Sequence, residues 1–263
     1  MNENEKTMNE TVNILTLKWG DLYGPEYVNR LYAGVKKHLK RPFRFICFTD
    51  NSTDINEGIE CMAFPDFPVS DRLKWTAWRK FELLKKEVPF DGLSLFLDLD
   101  VLITGSLDKF FEYGNPEDFV IIHNWIERRK ILFRPQPDIG NSSCFRFVAK
   151  QHHYAYERLL AEGDDMIDFY PTEQAGLTDT VRKYKVYWPD EWVRSFKRHC
   201  QRALPLNYFL SAKFRPEASI IAFHGRPNPD QAIEGFKGKR VHHFVKPTPW
   251  VEKYWFTDQE QSC

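Results

Sequence analysis

The 263-residue chain carries 37 Lys and Arg against 37 Asp and Glu, so no net field gathers nucleic acid and a non-specific polyanion binder is disfavoured. With 42% hydrophobic, 16% aromatic and 28% charged residues it has the composition of a folded protein and not of a disordered one, at a length common for a one-domain α/β enzyme. Cys47, Cys61, Cys144, Cys200 and Cys263 are odd in number and show no CxxC spacing, which argues against a disulfide framework or a zinc site and reads as reduced cytosolic thiols.

Residues 1–10 are polar and read as a disordered tail without a signal peptide, and no later stretch approaches the length of a membrane span. The expected location is the cytoplasm, with peripheral contact at the inner face of a membrane left open. Residues 11–17 (TVNILTL) predict a buried first strand, followed by turn material at 18–25. From 26 to 39, Tyr27, Leu31, Val35 and Leu39 fall four apart, as one face of a helix requires, and 43–48 predict a second strand closed by Thr49-Asp50-Asn51. A right-handed crossover makes such strands parallel, and nucleotides bind at the carboxyl ends of strands in parallel sheets. Lys18, Trp19 and Tyr23 in the first loop, and Asp50 in the second, are therefore candidate base and ribose contacts.

Residues 71–87 predict a helix capped by Asp71, with Leu73, Ala77, Phe81 and Leu84 on one face. Strands are expected at 93–97, at 119–122 before His123-Asn124-Trp125, and at 143–148 after Gly140-Asn141-Ser142; a helix is expected at 151–161. Short aromatic segments at 186–188 and 219–223 follow. From 228 onward Pro, Gly, Lys and Trp predict an irregular lid on a single domain covering 11–263.

The strand at 93–97 ends abruptly in Asp98-Leu99-Asp100. Two carboxylates there are costly to bury without a positive partner, and a divalent cation that also bridges substrate phosphates suits them. Asp-x-Asp triplets are common, and solvated turn residues are the plainer reading of one seen alone. The apolar strand 219–223 ends in His224-Gly225-Arg226, where a neutral imidazole offers a further ligand and Gly225 allows close backbone approach to a diphosphate.

Residues 93–107 (LSLFLDLDVLITGSL) resemble the segment of GT-A glycosyltransferases in which an apolar strand leads into the Asp-x-Asp, and residues 78–84 (WRKFELL) are similar to the preceding helix of the retaining transferases related to glycogenin, glycosyltransferase family eight. The resemblance implies an α/β fold, a single-domain GT-A (Rossmann-like nucleotide-diphospho-sugar transferase) with a central, mostly parallel mixed sheet flanked by helices. It implies that Asp98, Asp100 and His224 hold Mn2+ (or Mg2+), with Asp100 also counted among the catalytic residues, and that Lys80, Gly225 and Arg226 serve the donor. Gly140-Asn141-Ser142-Ser143 resembles the family's segment beside the transferred sugar, which assigns Asn141 to the donor. Thr172-Glu173-Gln174 resembles its Asp-Gln pair, which assigns Glu173 to sugar hydroxyls and Gln174 to the space under the anomeric carbon; Thr172 also reads as a plain helix cap. Where the family carries Lys-Pro-Trp, this chain has Asn228-Pro229, so the phosphate-binding cation is either Arg226 or Lys246.

The expected activity is transfer of a hexose from a nucleotide-diphosphate sugar, UDP-linked, to a glycan or lipid-linked acceptor with retention. A nucleotidyltransferase is the enzyme alternative, although loop 18–23 lacks the Gly-rich, basic character it would need; a non-catalytic nucleotide-sugar-binding module is the other. Arg128-Arg129-Lys130 and Arg194, Lys197, Arg198 read as solvated faces or as contacts for an anionic acceptor, and residues 250–256 (WVEKYWF) either dock on a membrane interface or pack on their own domain.

Overall fold

The computed structural model describes residues 10–73, 75–125, 137–256 and 260. The expected tail at 1–10, save Glu10, and the basic cluster at 128–130 lie outside the described residues.

The chain opens with β1 (Val12–Lys18), α1 (Pro25–His38), β2 (Phe43–Thr49) and β3 (Glu60–Ala63). Next come β4 (Leu93–Leu97), β5 (Val101–Ile103), α2 (Asp108–Glu112), β6 (Phe119–His123) and β7 (Gly140–Val148). Then follow α3 (Tyr154–Glu162), α4 (Asp164–Phe169), α5 (Glu173–Thr180), β8 (Lys185–Tyr187), β9 (Val193–Ser195) and β10 (Ile220–Ala222). Two short helices, α6 (Pro229–Glu234) and α7 (Pro249–Trp255), close the chain.

Seven strands form the central sheet in the order β3-β2-β1-β4-β7-β6-β8, and β5-β10-β9 form a small second sheet. All neighbours in the large sheet are parallel except those of β7, which runs antiparallel to both β4 and β6. The sheet is thus mixed and mostly parallel, as expected. Every residue of β1 is buried, the mark of a strand covered on both faces. Alternate side chains go to opposite layers: Ile14, Leu95 and Leu97 join α1 and the small sheet, while Leu15, Phe96, Phe145 and Phe147 join α3 and α5.

The predicted face of α1 holds, with Tyr27, Leu31, Val35 and Leu39 buried. Three boundaries differ from expectation. Residues 71–87 do not form one α-helix: a 3₁₀ turn at Asp71–Leu73 is broken at the extended Thr76 and followed by a 3₁₀-helix at Ala77–Leu84. In a 3₁₀-helix residues three apart eclipse. That alignment stacks Trp78 on Phe81 at 5.5 Å and puts Glu82 between Arg79 (2.7 Å) and Lys85 (2.9 Å), while all of residues 78–84 are buried. Strand β7 begins at Gly140, three residues early, because Asn141 to Ser143 continue the pairing with β6 and β4. The stretch from 228, expected to be irregular, contains α6 and α7: each has Pro in its first turn, and Asn228 and Gln231 form a capping box.

Candidate active site

Strand β4 reaches the centre of the sheet and ends at Leu97, where the chain turns through Asp98 and Asp100 into β5. The turn is held from both sides: Asp98 N–H donates to Ser143 O at 3.0 Å, and Phe223 N–H donates to Asp100 O at 3.0 Å. Pairing of β10 with β5 thus brings the end of β10 alongside the Asp-x-Asp.

The 3₁₀-helix delivers Lys80 to the same point. The residue is 5% exposed, and its ammonium lies 2.8 Å from Asp98 Oδ1, donates to Ser142 O (3.1 Å) and Ser142 Oγ (3.0 Å), and sits 3.8 Å from Glu173 Oε1. Burial alone would lower the Lys80 pKa, but Asp98, Glu173 and Asp100 together outweigh it and hold the ammonium above the usual lysine range. Asp100 shows the opposite imbalance. Burial and then the neighbouring Asp98 push its carboxyl up to about 8, against the pull of Lys80 and of the Tyr23 hydroxyl, which donates to Asp100 Oδ2 at 3.2 Å.

On the far side of Lys80, the N-terminus of α5 meets the start of β7. Ser142 Oγ donates to Glu173 Oε1, and Asn141 Nδ2 donates to Gln174 Oε1 at 3.3 Å. Thr178 ties the two elements together by accepting from Gly140 N–H (2.8 Å) and donating to Gln174 O (2.6 Å). Thr172 caps α5 by accepting from Ala175 N–H, so Glu173 and Gln174 occupy its first turn.

A cavity of about 190 Å³ opens beside these groups, lined by Lys18, Trp19, Tyr23, Lys80, Asp98 and Asp100 among others. Asp50 borders the same loop, accepting from Gly20 N–H at 2.9 Å, and Lys18 Nζ donates to Gly20 O at 3.4 Å. Of the residues singled out in the sequence, the structure therefore gathers Lys18, Trp19, Tyr23, Asp50, Lys80, Asp98, Asp100, Asn141, Glu173 and Gln174 around one connected network.

His224, Gly225 and Arg226 are placed differently. The His224 ring stacks on Trp125 at 5.5 Å and its Nε2 shares a 2.5 Å hydrogen bond with Ser195 Oγ. Burial, then Lys197, Arg198 and His199, push its pKa down to about 4, so it is neutral at pH 7. Among the described residues, no three His, Cys, Asp or Glu side chains are gathered closely enough to hold a metal ion, so the expected trio of Asp98, Asp100 and His224 is not assembled. The physical reason is the β10–β9 register, which sets Ala222 opposite Ser195 and gives the following imidazole a hydroxyl partner there. Gly225, at φ +73° and exposed, faces Lys197, and Arg226 lines a separate basic cavity. Lys246 does not fold back either: its Nζ donates to Phe209 O at 3.1 Å.

Sequence reasoning did not foresee Ser142 as the link between Lys80 and Glu173, although the run of small polar residues at 140–143 was its signal. Ser195 left none, since nothing local marks a serine that meets a histidine 29 positions away.

No protein-family model matches the chain, and no curated protein matches it. Solved structures do. The galactosyltransferase LgtC, in complex with donor and acceptor sugar analogs, superposes with a TM-score of 0.55 at 13% identity over 82% of this chain and 88% of its own. The glycosyltransferase GlyE of Streptococcus pneumoniae gives 0.58 at 11% identity over 96% of this chain and 62% of its own. The bifunctional glycosyltransferase WbbM gives 0.57 at 10% over 93% and 51%. At these identities the likeness is one of fold, and the fold is GT-A, as the resemblance to family eight implied.

Proposed function

We propose, from the GT-A fold these transferases share with this chain, that the protein moves a hexose from a nucleotide-diphosphate sugar, UDP-linked, to a glycan or lipid-linked sugar hydroxyl with retention. The observation that carries the reading is the convergence at the end of β4: Asp98 and Asp100 face a single buried ammonium, which also reaches Ser142 and Glu173.

The chemistry of this set fits a divalent cation. Two adjacent carboxylates share one lysine, and burial and then the neighbouring Asp98 raise Asp100 to about 8. Their hard oxygens suit Mn2+ or Mg2+, with Asp98 and Asp100 as the protein's ligands. When bound, the ion would stabilise the negative charge that develops on the departing diphosphate. His224, engaged with Ser195, is left out of the ligand set.

The remaining roles belong to the chain's own groups. Trp19 and Tyr23 supply aromatic surface for the base in the 190 Å³ cavity, and Lys18 in its lining and Asp50, which holds the Gly20 N–H of the same loop, serve the ribose. That space is smaller than the roughly 300–1,000 Å³ of a drug-sized ligand site, so the sugar extends beyond it toward Asn141 and Glu173. Glu173, 3.8 Å from the Lys80 ammonium, accepts hydroxyl hydrogen bonds from the hexose. Asn141 orients the Gln174 amide by donating to its oxygen, and that fixed amide dipole faces the anomeric carbon.

The test is thermal unfolding of the wild type and of Asp100→Asn with UDP-sugars, with and without manganese. A ligand at a hundred times its Kd stabilises the native state by about 2.7 kcal/mol, which corresponds to roughly 5–10 °C in a chain of this size. The expected result is a manganese-dependent shift of that order with one UDP-sugar, absent in Asp100→Asn. A shift that ignores manganese and the substitution, without turnover, would favour the non-catalytic module, and no shift with any nucleotide would remove the transferase reading.

A further inference from the structure

We propose that the face built by residues 204–210 and 237–243 docks on the surface of an anionic lipid bilayer. This inference stands apart from the sugar-transfer reading and rests on a different part of the molecule.

Leu204, Leu206, Tyr208, Phe209 and Leu210 lie within seven residues and are 42% to 69% exposed, Phe209 most of all. Val241 joins them at 62%. A rigid support holds this apolar set outward. Asn207, 3% exposed, donates from Nδ2 to Val241 O (3.2 Å) and Phe244 O (3.1 Å), and Tyr208 stacks on Phe244 at 4.7 Å and 11°. Lys246 Nζ fixes the backbone of Phe209. Exposed apolar side chains gathered in this way mark a contact surface, whereas scattered ones do not.

The neighbouring ground is basic. Arg240 precedes Val241 directly, and with Lys197, Arg226, Lys237, Lys239 and His243 it lines a cavity of about 660 Å³ that contains no carboxylate. Among the described residues, no ion pair neutralises Lys237, Lys239 or Arg240. Apolar tips rimmed by Lys and Arg match the two components of a bilayer surface, acyl boundary and anionic headgroup. A protein partner is a poorer fit, since lysine is depleted at protein interfaces, and a second copy would bring like charges together.

The segment 250–256, which the sequence suggested for membrane-interface docking, is used otherwise. Val251 and Trp255 are buried and Trp250 Nε1 donates to Ala212 O at 2.8 Å, so α7 packs on its own domain. No helix among the described residues is long and apolar enough to cross a membrane.

Vesicle flotation of the full chain tests the proposal, with phosphatidylcholine alone and with added phosphatidylglycerol. Binding is expected only with phosphatidylglycerol and should weaken with salt. Each cation at the surface contributes about fivefold, so Lys239→Gln with Arg240→Gln should weaken binding about thirtyfold. Phe209→Ser should cost about tenfold or more, since it removes an aromatic ring from the acyl boundary. Melting curves of the variants should match the wild type because these side chains are exposed; Val241→Ser replaces Phe209→Ser if the latter unfolds. Absence of flotation with anionic vesicles, or equal flotation of wild type and variants, would overturn the proposal. So would a concentration-dependent dimer that Phe209→Ser abolishes, which would assign the face to a second copy.

Discussion

Replacing Lys80 by Met tests the energetic logic of the site directly. The substitution keeps the length of the side chain and removes its charge, so Asp98 and Glu173 lose their shared counter-ion and Ser142 loses a donor to its carbonyl oxygen. Breaking a buried ion pair costs about 3–5 kcal/mol, because the remaining charge is left uncompensated. The Asp98 side chain is 27% exposed and regains some hydration, which places the expected loss near the lower end, about 3 kcal/mol. At roughly 2–4 °C per kcal/mol for a chain of this size, the melting temperature should fall by about 6–12 °C, measured by circular dichroism without divalent cations. Asp98→Asn in the Lys80→Met background should recover part of that loss, since it removes the orphaned charge, and the double-mutant cycle then gives the coupling. A fall under about 2 °C, or additive effects of the two substitutions, would refute the claim that Lys80 is an electrostatic keystone.

Burial pushes the His152 imidazole from 6.5 down to about 4, so between these values the unfolded chain binds a proton that the folded chain refuses. The stability present above pH 6.5 is therefore lost as pH falls toward 4, by about 3 kcal/mol. His152→Phe should flatten that part of the curve in urea titrations at pH 7.5 and 4.5; parallel curves for both proteins would contradict it. Gly140→Ala would set a Cβ 2.7 Å from Ile121 Cδ1 and 2.9 Å from Thr178 Oγ1. Overpacking of this kind costs about 1–3 kcal/mol, visible as a lower melting temperature, and a melting temperature equal to wild type would show that the β7–α5 contact has slack. Phe145 is fully buried and stacks on Phe96 (4.8 Å) and Phe119 (5.2 Å). Phe145→Ala should cost about 3–5 kcal/mol in denaturant titration, and a loss below 1 kcal/mol would mean that the core collapses to fill the space.

Local pattern was enough for the elements whose signal is periodic. The four-residue spacing of α1, the apolar runs of β1, β2 and β4, and the abrupt arrival of Asp98 and Asp100 after Leu97 follow from which side chains must leave water. The resemblance to family eight likewise implied that Asn141, Glu173 and Gln174 share the site of the aspartates, and the contacts of Asn141 with Gln174 and of Ser142 with Glu173 bring them there. Residues 78–84 went the other way. Their apolar spacing suits an α-helix, but burial on all sides and the eclipsed pairs of Trp78 with Phe81 and Arg79 with Glu82 favour the 3₁₀ form, and both depend on what packs around them.

The sequence by itself determined the α/β class, the central strand and the pair of carboxylates at its end, because hydrophobic periodicity and the cost of burying charge act locally. Only the tertiary structure decided the partners. Strand register sent His224 to Ser195 instead of the aspartates, and the packing of the 3₁₀-helix Ala77–Leu84 made Lys80 the counter-ion that Asp98 and Glu173 share. Contacts of Asn207 and Tyr208 with residues 241–244 likewise hold the 204–210 loop outward beside Lys239 and Arg240. These contacts join residues tens of positions apart, and one residue of register moves a side chain to the opposite face of its sheet, a choice that no local pattern records.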